Sequence, residues 1–564
     1  ISTLSPAQRA LFEARLKKKG LDVANLPSFS QTQSIPKRKQ LNYCPLSYDQ
    51  ERLWIIDQME PGNPSYNIYT AGSFTGFLDI AIVEKAFNEI VRRHEILRTA
   101  FVVVDEQPVM VISPELKITL LVEDLRSWPE DQRNAEALRR VNEHAGRPFD
   151  LTQAPLVRFG LLQLADEEYM MYVIMHHIIT DRWSAVVVDE EWLTLYKAFS
   201  QGLPSPLPEV TIQFADFAAW QREWLQGENF TTAFSYWKNQ LTGAPLVLEV
   251  PGDHPRPRVQ TFQGARGLTV LPTTLLLTLK ALTQREGATM FMTMLAAYNL
   301  LLYRYTNQQD ILIGLAMANR DRPEMVKMLG YLLNMVVVRS KFSPQTSFRE
   351  LLKIVREACV GAFAHQDLPL GRLIQELKPP PDISRNPIFQ VSYIYLDFPD
   401  TSPLEELNIT ATSLDVDNGT SRFDLTLALT EKERGLDTLF EYNSDLFEAA
   451  TIKRMLKHLE ILLRGVTTDP DQPISQILLL TESEQAQILE WGHTKQQYTL
   501  DKCIQQLFED QVEHTPNAIA LIFNEQQLTY RELNCRANQV AHYLQKLGVR
   551  SESLVGLCIE RSLE

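Results

Sequence analysis

Apolar positions recur along the chain at two spacings, and the alternation between them outlines its elements. Ile82, Val83, Ala86, Phe87, Ile90 and Val91 lie three and four apart, so they share one face of a predicted helix that ends near Arg92-Arg93-His94-Glu95. From Tyr169 to His176 the run Tyr-Met-Met-Tyr-Val-Ile-Met-His is apolar at both alternating sets of positions, which predicts a central strand covered on both faces. Helical spacing returns with Val188, Trp192, Leu195, Tyr196 and Phe199. Further on, the pattern predicts a helix over 291–303 and a strand over 310–315.

Punctuation divides these elements. Gly202, Pro204, Pro206 and Pro208 form a breaker cluster, read as the crossing between two halves. Pro379-Pro380-Pro381 and the stretch 469–473 punctuate the second half. Beyond about residue 500 the pattern restarts, with a helix over 503–513, a strand over 519–523 and a helix over 530–547. Residues 1–40 begin with Leu4, Leu11 and Leu16 at loosely helical spacing and then turn polar, reading as a linker with one short helix. The expected boundaries are a leader at 1–40, two halves at 41–208 and 209–470, a linker at 471–499 and a separate segment at 500–564.

The 564 residues suffice for more than one domain, and 45% hydrophobic with 22% charged residues is an ordinary globular balance. With 55 basic against 70 acidic side chains the net charge is −15, which argues against nucleic acid or an anionic membrane as the main partner. Two basic runs, Lys17-Lys18-Lys19 and Lys37-Arg38-Lys39, read as solvated linker. The five cysteines form no C-x-x-C pair, there is no secretory signal pattern, and no apolar run reaches the roughly 18 residues of a membrane span. A cytoplasmic protein is the expectation, and Ile1 in place of methionine reads as a piece of something longer.

Chemistry concentrates where the doubly apolar strand ends, in His176-His177-Ile178-Ile179-Thr180-Asp181-Arg182-Trp183-Ser184. Adjacent strand residues point to opposite faces, so one ring can meet a cavity while the other is locked in the wall, and the pair should not ligate one metal together. A histidine here suits base or positioning chemistry on an amine, since an α-amino group has a reference pKa near 8 and imidazole one near 6.5. No serine or cysteine nucleophile stands beside it, because Ser184 should begin the next helix. Direct transfer is therefore favoured over a covalent acyl-enzyme.

This stretch resembles the His-His-x-x-x-Asp-Gly signature of nonribosomal peptide synthetase condensation domains, and six further motifs follow the family's order. Pro45 to Trp54, continued by Gln58 to Asn63, resembles the opening motif, and Arg93 to Phe101 the second. Phe214 to Gln221 is similar to the crossing-region motif, and Ile313-Gly314, Asn319-Arg320 and Gly330 to Asn334 to the fifth. His365 to Pro369 and Ser384 to Gln390 are similar to the last two.

The resemblance implies an α/β fold of two chloramphenicol-acetyltransferase-like lobes, arranged as a V-shaped pseudo-dimer with a central tunnel. It implies amide-bond formation between a donor acyl or peptidyl thioester and the amine of an acceptor aminoacyl thioester. No cofactor is bound covalently; both substrates arrive on 4′-phosphopantetheine arms of upstream and downstream peptidyl carrier proteins. His177 would be the catalytic residue, with His176 and Asp181 in support and Asp181 paired to Arg385 across the lobes. Asp253 to Pro257 is most similar to domains that join two L-residues. Leu528 to Leu533, Ala537-Asn538 and Glu560 to Ser562 resemble the start of an adenylation domain, an adjacent partner, without its phosphate loop. The one departure from the signature is Arg182 in place of glycine, which would depress the basicity of His177 and makes Arg182 a candidate tunnel gate or the mark of a recruiting scaffold. A coenzyme A-dependent acyltransferase of the same superfamily is the other alternative.

Overall fold

The computed structural model describes residues 34–39, 43–396, 409–414, 416–492, 501–560 and 562–563. The helix expected around Leu4 to Leu16 and the first basic run lie outside them. The chain divides into two compact units, Ile1–Thr481 and Glu482–Glu564.

The first part of the larger unit runs β1 (Tyr43–Pro45), α1 (Tyr48–Met59), β2 (Asn67–Thr75), α2 (Ile80–Arg93), β3 (Thr99–Val104), β4 (Gln107–Ile112), β5 (Leu121–Asp124), α3 (Glu130–Gly146), β6 (Val157–Ala165), β7 (Glu168–His176), α4 (Arg182–Ser200) and α5 (Phe214–Trp224). Then come α6 (Gly227–Leu241), β8 (Gly264–Pro272), α7 (Thr273–Arg285), α8 (Met290–Thr306), β9 (Asp310–Met317), α9 (Pro323–Val326), β10 (Asn334–Lys341), α10 (Phe348–Ala364), α11 (Leu370–Leu377), β11 (Val391–Leu396), β12 (Thr410–Ser413), β13 (Leu425–Lys432), β14 (Gly435–Asn443) and α12 (Ala449–Thr468). The smaller unit holds α13 (Glu482–Gly492), α14 (Ile504–His514), β15 (Ile519–Phe523), β16 (Gln526–Thr529) and α15 (Tyr530–Lys546).

Two large sheets organise the larger unit, in the orders β12-β2-β7-β6-β5 and β10-β9-β11-β13-β14-β8. The strand with apolar residues at both sets of positions is the middle one of the first sheet. Its alternate side chains enter two separate cores: Tyr169, Met171, Val173 and Met175 on one face, Met170, Tyr172 and Ile174 on the other.

Two segments from later in the chain complete the first sheet and its cores. β12 pairs antiparallel with β2, from Thr410 opposite Thr75 to Ser413 opposite Gly72. The stretch around α9 buries Met325, Met328, Leu329, Tyr331 and Leu332 in the core beneath β7. Gly330 sits in that stretch at φ +153°, and a Cβ there would stand 1.9 Å from the Phe214 ring. Only glycine meets both the conformation and the close approach.

The change of core comes later than the breaker cluster at 202–208. Phe214, Ala215, Phe217 and Ala218 of α5 pack with the first core, whereas Leu225, Ala233 and Trp237 pack with the second. The end of the leader is also docked. Ile35 is buried, and Arg38 pairs with Glu95 at 2.7 Å and Asp216 at 2.9 Å with its side chain 7% exposed. The run Lys37-Arg38-Lys39 is thus no uniformly solvated linker: its middle residue balances two carboxylates at the join of α2 and α5.

Candidate active site

The β7 ladder stops at His176, and His177 opens a single 3₁₀ turn, His177–Ile179. Both rings are buried, yet they are held in opposite ways. The His176 Nδ1 accepts from the Ile178 amide at 3.2 Å, so its ring proton belongs on Nε2. The His177 Nδ1 lies 2.6 Å from the Thr180 carbonyl oxygen, which can only accept. His177 therefore carries its proton on Nδ1 and presents a lone pair at Nε2 when neutral. From α1, Gln50 Nε2 donates to the Ile178 carbonyl at 2.9 Å and braces the turn.

Burial keeps both rings neutral. His176 is pushed down to about 3 by desolvation, helped by the charge of Arg422. His177 is held well below the ordinary imidazole value by the same two causes in the same order, while its bond to Thr180 works the other way. Arg422 was not anticipated, as no motif contains it. Its Nε donates to the Ser65 carbonyl at 3.2 Å, and its own carbonyl accepts from Gln260 and Asn386 at 3.1 and 3.0 Å. Two residues on, Asp424 is held by Arg256, so the Asp253–Pro257 motif steadies this loop.

Asp181 caps α4 by accepting from the Ser184 amide at 2.7 Å, so the helix opens at Arg182, two residues before the serine expected to begin it. The carboxylate also takes both bonds from Arg320 Nη2, at 2.8 and 3.1 Å, and one from the Leu332 amide at 3.1 Å. Arg320 reaches further to Ser184 Oγ at 2.8 Å and to the carbonyls of Met325 and Met328, each at 2.6 Å.

The expected partner of Asp181 is therefore corrected. Arg385 lies instead against Asp382 of its own loop at 2.9 Å and Glu249 of a distant segment at 3.2 Å. The arginine that meets Asp181 comes from the fifth motif, which was visible in the sequence without a role for that residue. It arrives through the returning segment around α9, a tertiary placement that sequence spacing does not encode.

Arg182 occupies the first helical position of α4 and is exposed. Its φ is not positive, so this turn does not require glycine. Asp189, two helical turns on, feels its charge. The expectation that Arg182 depresses His177 is likewise corrected, since the arginine acting on that ring is Arg422.

A ring that the fifth motif contains, and to which the sequence assigned no role, completes the site. Tyr331 meets His177 edge to face, with centroids 4.7 Å apart at 66°. Burial pushes its hydroxyl up to about 12, against the pull of Arg52, so it remains protonated at neutral pH.

Two histidines at a buried strand end, an aspartate tied to a distant arginine and a returning segment form one connected site, and it lies inside the span that matches a known family. The sequence model of the condensation domain matches residues 40–489. The chain belongs to the condensation domain family. A second model, that of the AMP-binding enzymes, matches residues 508–564 behind the condensation domain. One of the linear gramicidin synthase proteins of Brevibacillus parabrevis is 43% identical over 538 residues, 95% of this chain and 10% of that protein. The chain thus spans about a tenth of the length of the gramicidin synthase proteins it matches. Among solved structures, the X-domain from teicoplanin biosynthesis is similar with a TM-score of 0.71 and 25% identity, covering 79% of this chain and 100% of that one. The first condensation domain of the calcium-dependent antibiotic synthetase, solved with a substrate analogue, has a TM-score of 0.67 at 20% identity, with 78% and 100% covered, and shows the shared fold. Condensation domains have the chloramphenicol-acetyltransferase-like fold and form amide bonds.

Proposed function

We propose that this condensation domain joins a donor acyl or peptidyl thioester to the α-amine of an acceptor aminoacyl thioester, both on phosphopantetheine arms of carrier proteins, with His177 at the reacting nitrogen. The supporting observation is the fixed tautomer: Nδ1–H is spent on Thr180, so Nε2 is the acceptor. The amine nitrogen forms its bond to the thioester carbonyl carbon, the carbon–sulfur bond breaks, and the amine proton ends on the departing thiol. A buried, weakly basic imidazole suits this exchange better as a hydrogen-bond acceptor and brief carrier than as a lasting proton store. It also favours an acceptor amine that arrives neutral. Peptide synthetases as relatives disfavour the coenzyme A-dependent alternative.

Carrier docking has a candidate place. A cleft of about 440 Å³ is lined by Tyr48, Glu51, Arg222, Phe230, Arg372 and Gln375 among others, and α1, which carries Tyr48, also braces the His177 turn. Its two guanidinium groups suit a phosphodiester. No helix among the described residues is long and apolar enough to cross a membrane, and the free cysteines suit the cytoplasm.

The test is His177→Ala with loaded carriers, the product read by mass spectrometry. Condensation is expected to fall by about 10²- to 10⁴-fold, the usual contribution of a positioned base. Wild-type turnover in a folded variant would overturn the assignment.

A further inference from the structure

Among the described residues, the ring of His177 has one hydrogen-bonding anchor, Nδ1 to Thr180. One bond fixes an axis and leaves the plane of the imidazole free to tilt about it. The second constraint comes from a segment more than 150 residues away in sequence. Tyr331 is 4% exposed, and its backbone is clamped on both sides. Gly330 donates to Ser184 Oγ at 3.2 Å, the same hydroxyl donates to the Gly330 carbonyl at 3.0 Å, and Leu332 donates to Asp181 at 3.1 Å. The charge of Arg52 on α1 acts on the tyrosine side chain, and α1 also holds the His177 turn through Gln50. The segment that carries Tyr331 is therefore held by the start of α4, which follows the His177 turn directly, and the two rings meet at 4.7 Å.

We propose that Tyr331 is a positioning residue for amide formation: its ring sets the plane of His177 so that Nε2 faces the incoming amine. On this account Asp181 and Ser184 act at one remove, by aiming the 330–332 segment. The inference rests on His177 being the residue at the reacting nitrogen, and Tyr331 acts through that ring.

A structural filler and a positioning ring differ in what their loss does to the chemistry. Leucine fills most of the space but lacks the ring that stands edge to face against His177, so water gains access to the imidazole and its basicity rises toward the ordinary value. The charged or titratable groups around the ring are His176 on β7, Arg422 before β13, and Tyr66, Arg52 and Asp49 behind Tyr331. Asp49, pushed up to about 7 by burial, titrates close enough to need its own control, Asp49→Asn.

The experiment measures condensation between loaded carriers across pH for Tyr331→Leu and Tyr331→Phe, with melting temperatures alongside. Tyr331→Leu is expected to lower kcat by about 10- to 100-fold, the scale of a small misplacement of a reacting group. It should leave the acceptor KM within about twofold and move the acidic limb of the pH–rate profile upward, also in the Asp49→Asn background. Tyr331→Phe keeps the ring and should return kcat to within about threefold of wild type, as a geometric role requires. An unmoved acidic limb, or a wild-type kcat in Tyr331→Leu, overturns the inference. If His177→Ala is inactive while Tyr331→Leu is normal, only this inference falls; if His177→Ala is normal, the underlying assignment falls first.

Discussion

At the scale of single residues, buried charge and buried imidazole make opposite demands, and each gives a measurable consequence. Removing the Arg422 charge by Arg422→Gln should raise the His177 pKa, so the acidic limb of the pH–rate profile moves upward by up to about one unit; an unchanged limb would show that the charge does not reach the ring. His176, at about 3 in the folded chain against an ordinary value near 6.5, binds fewer protons folded than unfolded between those values. Stability is then fully present above about pH 6.5 and falls through that window by about 1.4 kcal/mol per pH unit as acid is added. Urea midpoints measured from about pH 7 to about pH 4 test it, and His176→Leu should flatten the slope. The Asp181–Arg320 pair is almost wholly buried, with side chains 2% and 1% exposed. Losing Arg320 alone should therefore cost about 3–5 kcal/mol, because a charge is stranded, whereas Arg385→Ala, between half-open partners, should cost less than about 1 kcal/mol. The histidines and Asp181 were legible because a strand that is apolar on both faces rarely ends in three polar side chains. Arg320, Arg422 and Tyr331 were not, since each reaches the site through contacts more than a hundred residues apart in sequence.

Among elements, those with a strong internal rhythm were read almost to their ends. The helix of Ile82 to Val91 stops at Arg93, where two arginines close its last turn and favour the negative end of the helix dipole. β7 appears where both alternating sets were apolar, and α8 and β9 cover the expected spans. What could not be read is which element completes which sheet, because an edge strand such as β12 carries little pattern of its own and takes its place from the partner's open hydrogen bonds. Gly330 shows the same limit: its φ and the Phe214 ring are tertiary facts. Gly330→Ala is accordingly expected to destabilise by about 1–3 kcal/mol, the range of strained backbone positions, and to weaken catalysis with it by moving Tyr331; calorimetry and turnover on the same sample would check both. Arg182→Gly, at an exposed helical position, should change kcat less than about threefold and cost about 0.5–1 kcal/mol of helix propensity. A larger gain in rate would support the gate.

For the molecule as a whole, partner contacts and catalysis can be separated experimentally. If the cleft between Tyr48 and Arg372 receives the phosphodiester of a carrier arm, Arg372→Ala should raise KM for carrier-bound acceptors by about tenfold, the value of one charge-assisted contact. Small thioester mimics that lack the phosphate should be unaffected, and equal effects on both would place docking elsewhere. In the smaller unit Ile504, Leu554 and Leu557 are more than 80% exposed; α14, β15 and α15 were legible there from local pattern, whereas β16 was not read and α13 lies in the stretch expected to be a linker. The strand donated by β12 has a different kind of consequence, one of timing. During synthesis the first sheet emerges with the flank of β2 unsatisfied, and the segment that closes it, Thr410–Ser413, follows α5 by nearly 190 residues. At ribosomal speeds of about 5–20 residues per second that is an interval of roughly 10–40 s. The nascent first half must wait through it with an open edge, and the same edge would meet anyone who tried to exchange the two halves between synthetases at a single cut point.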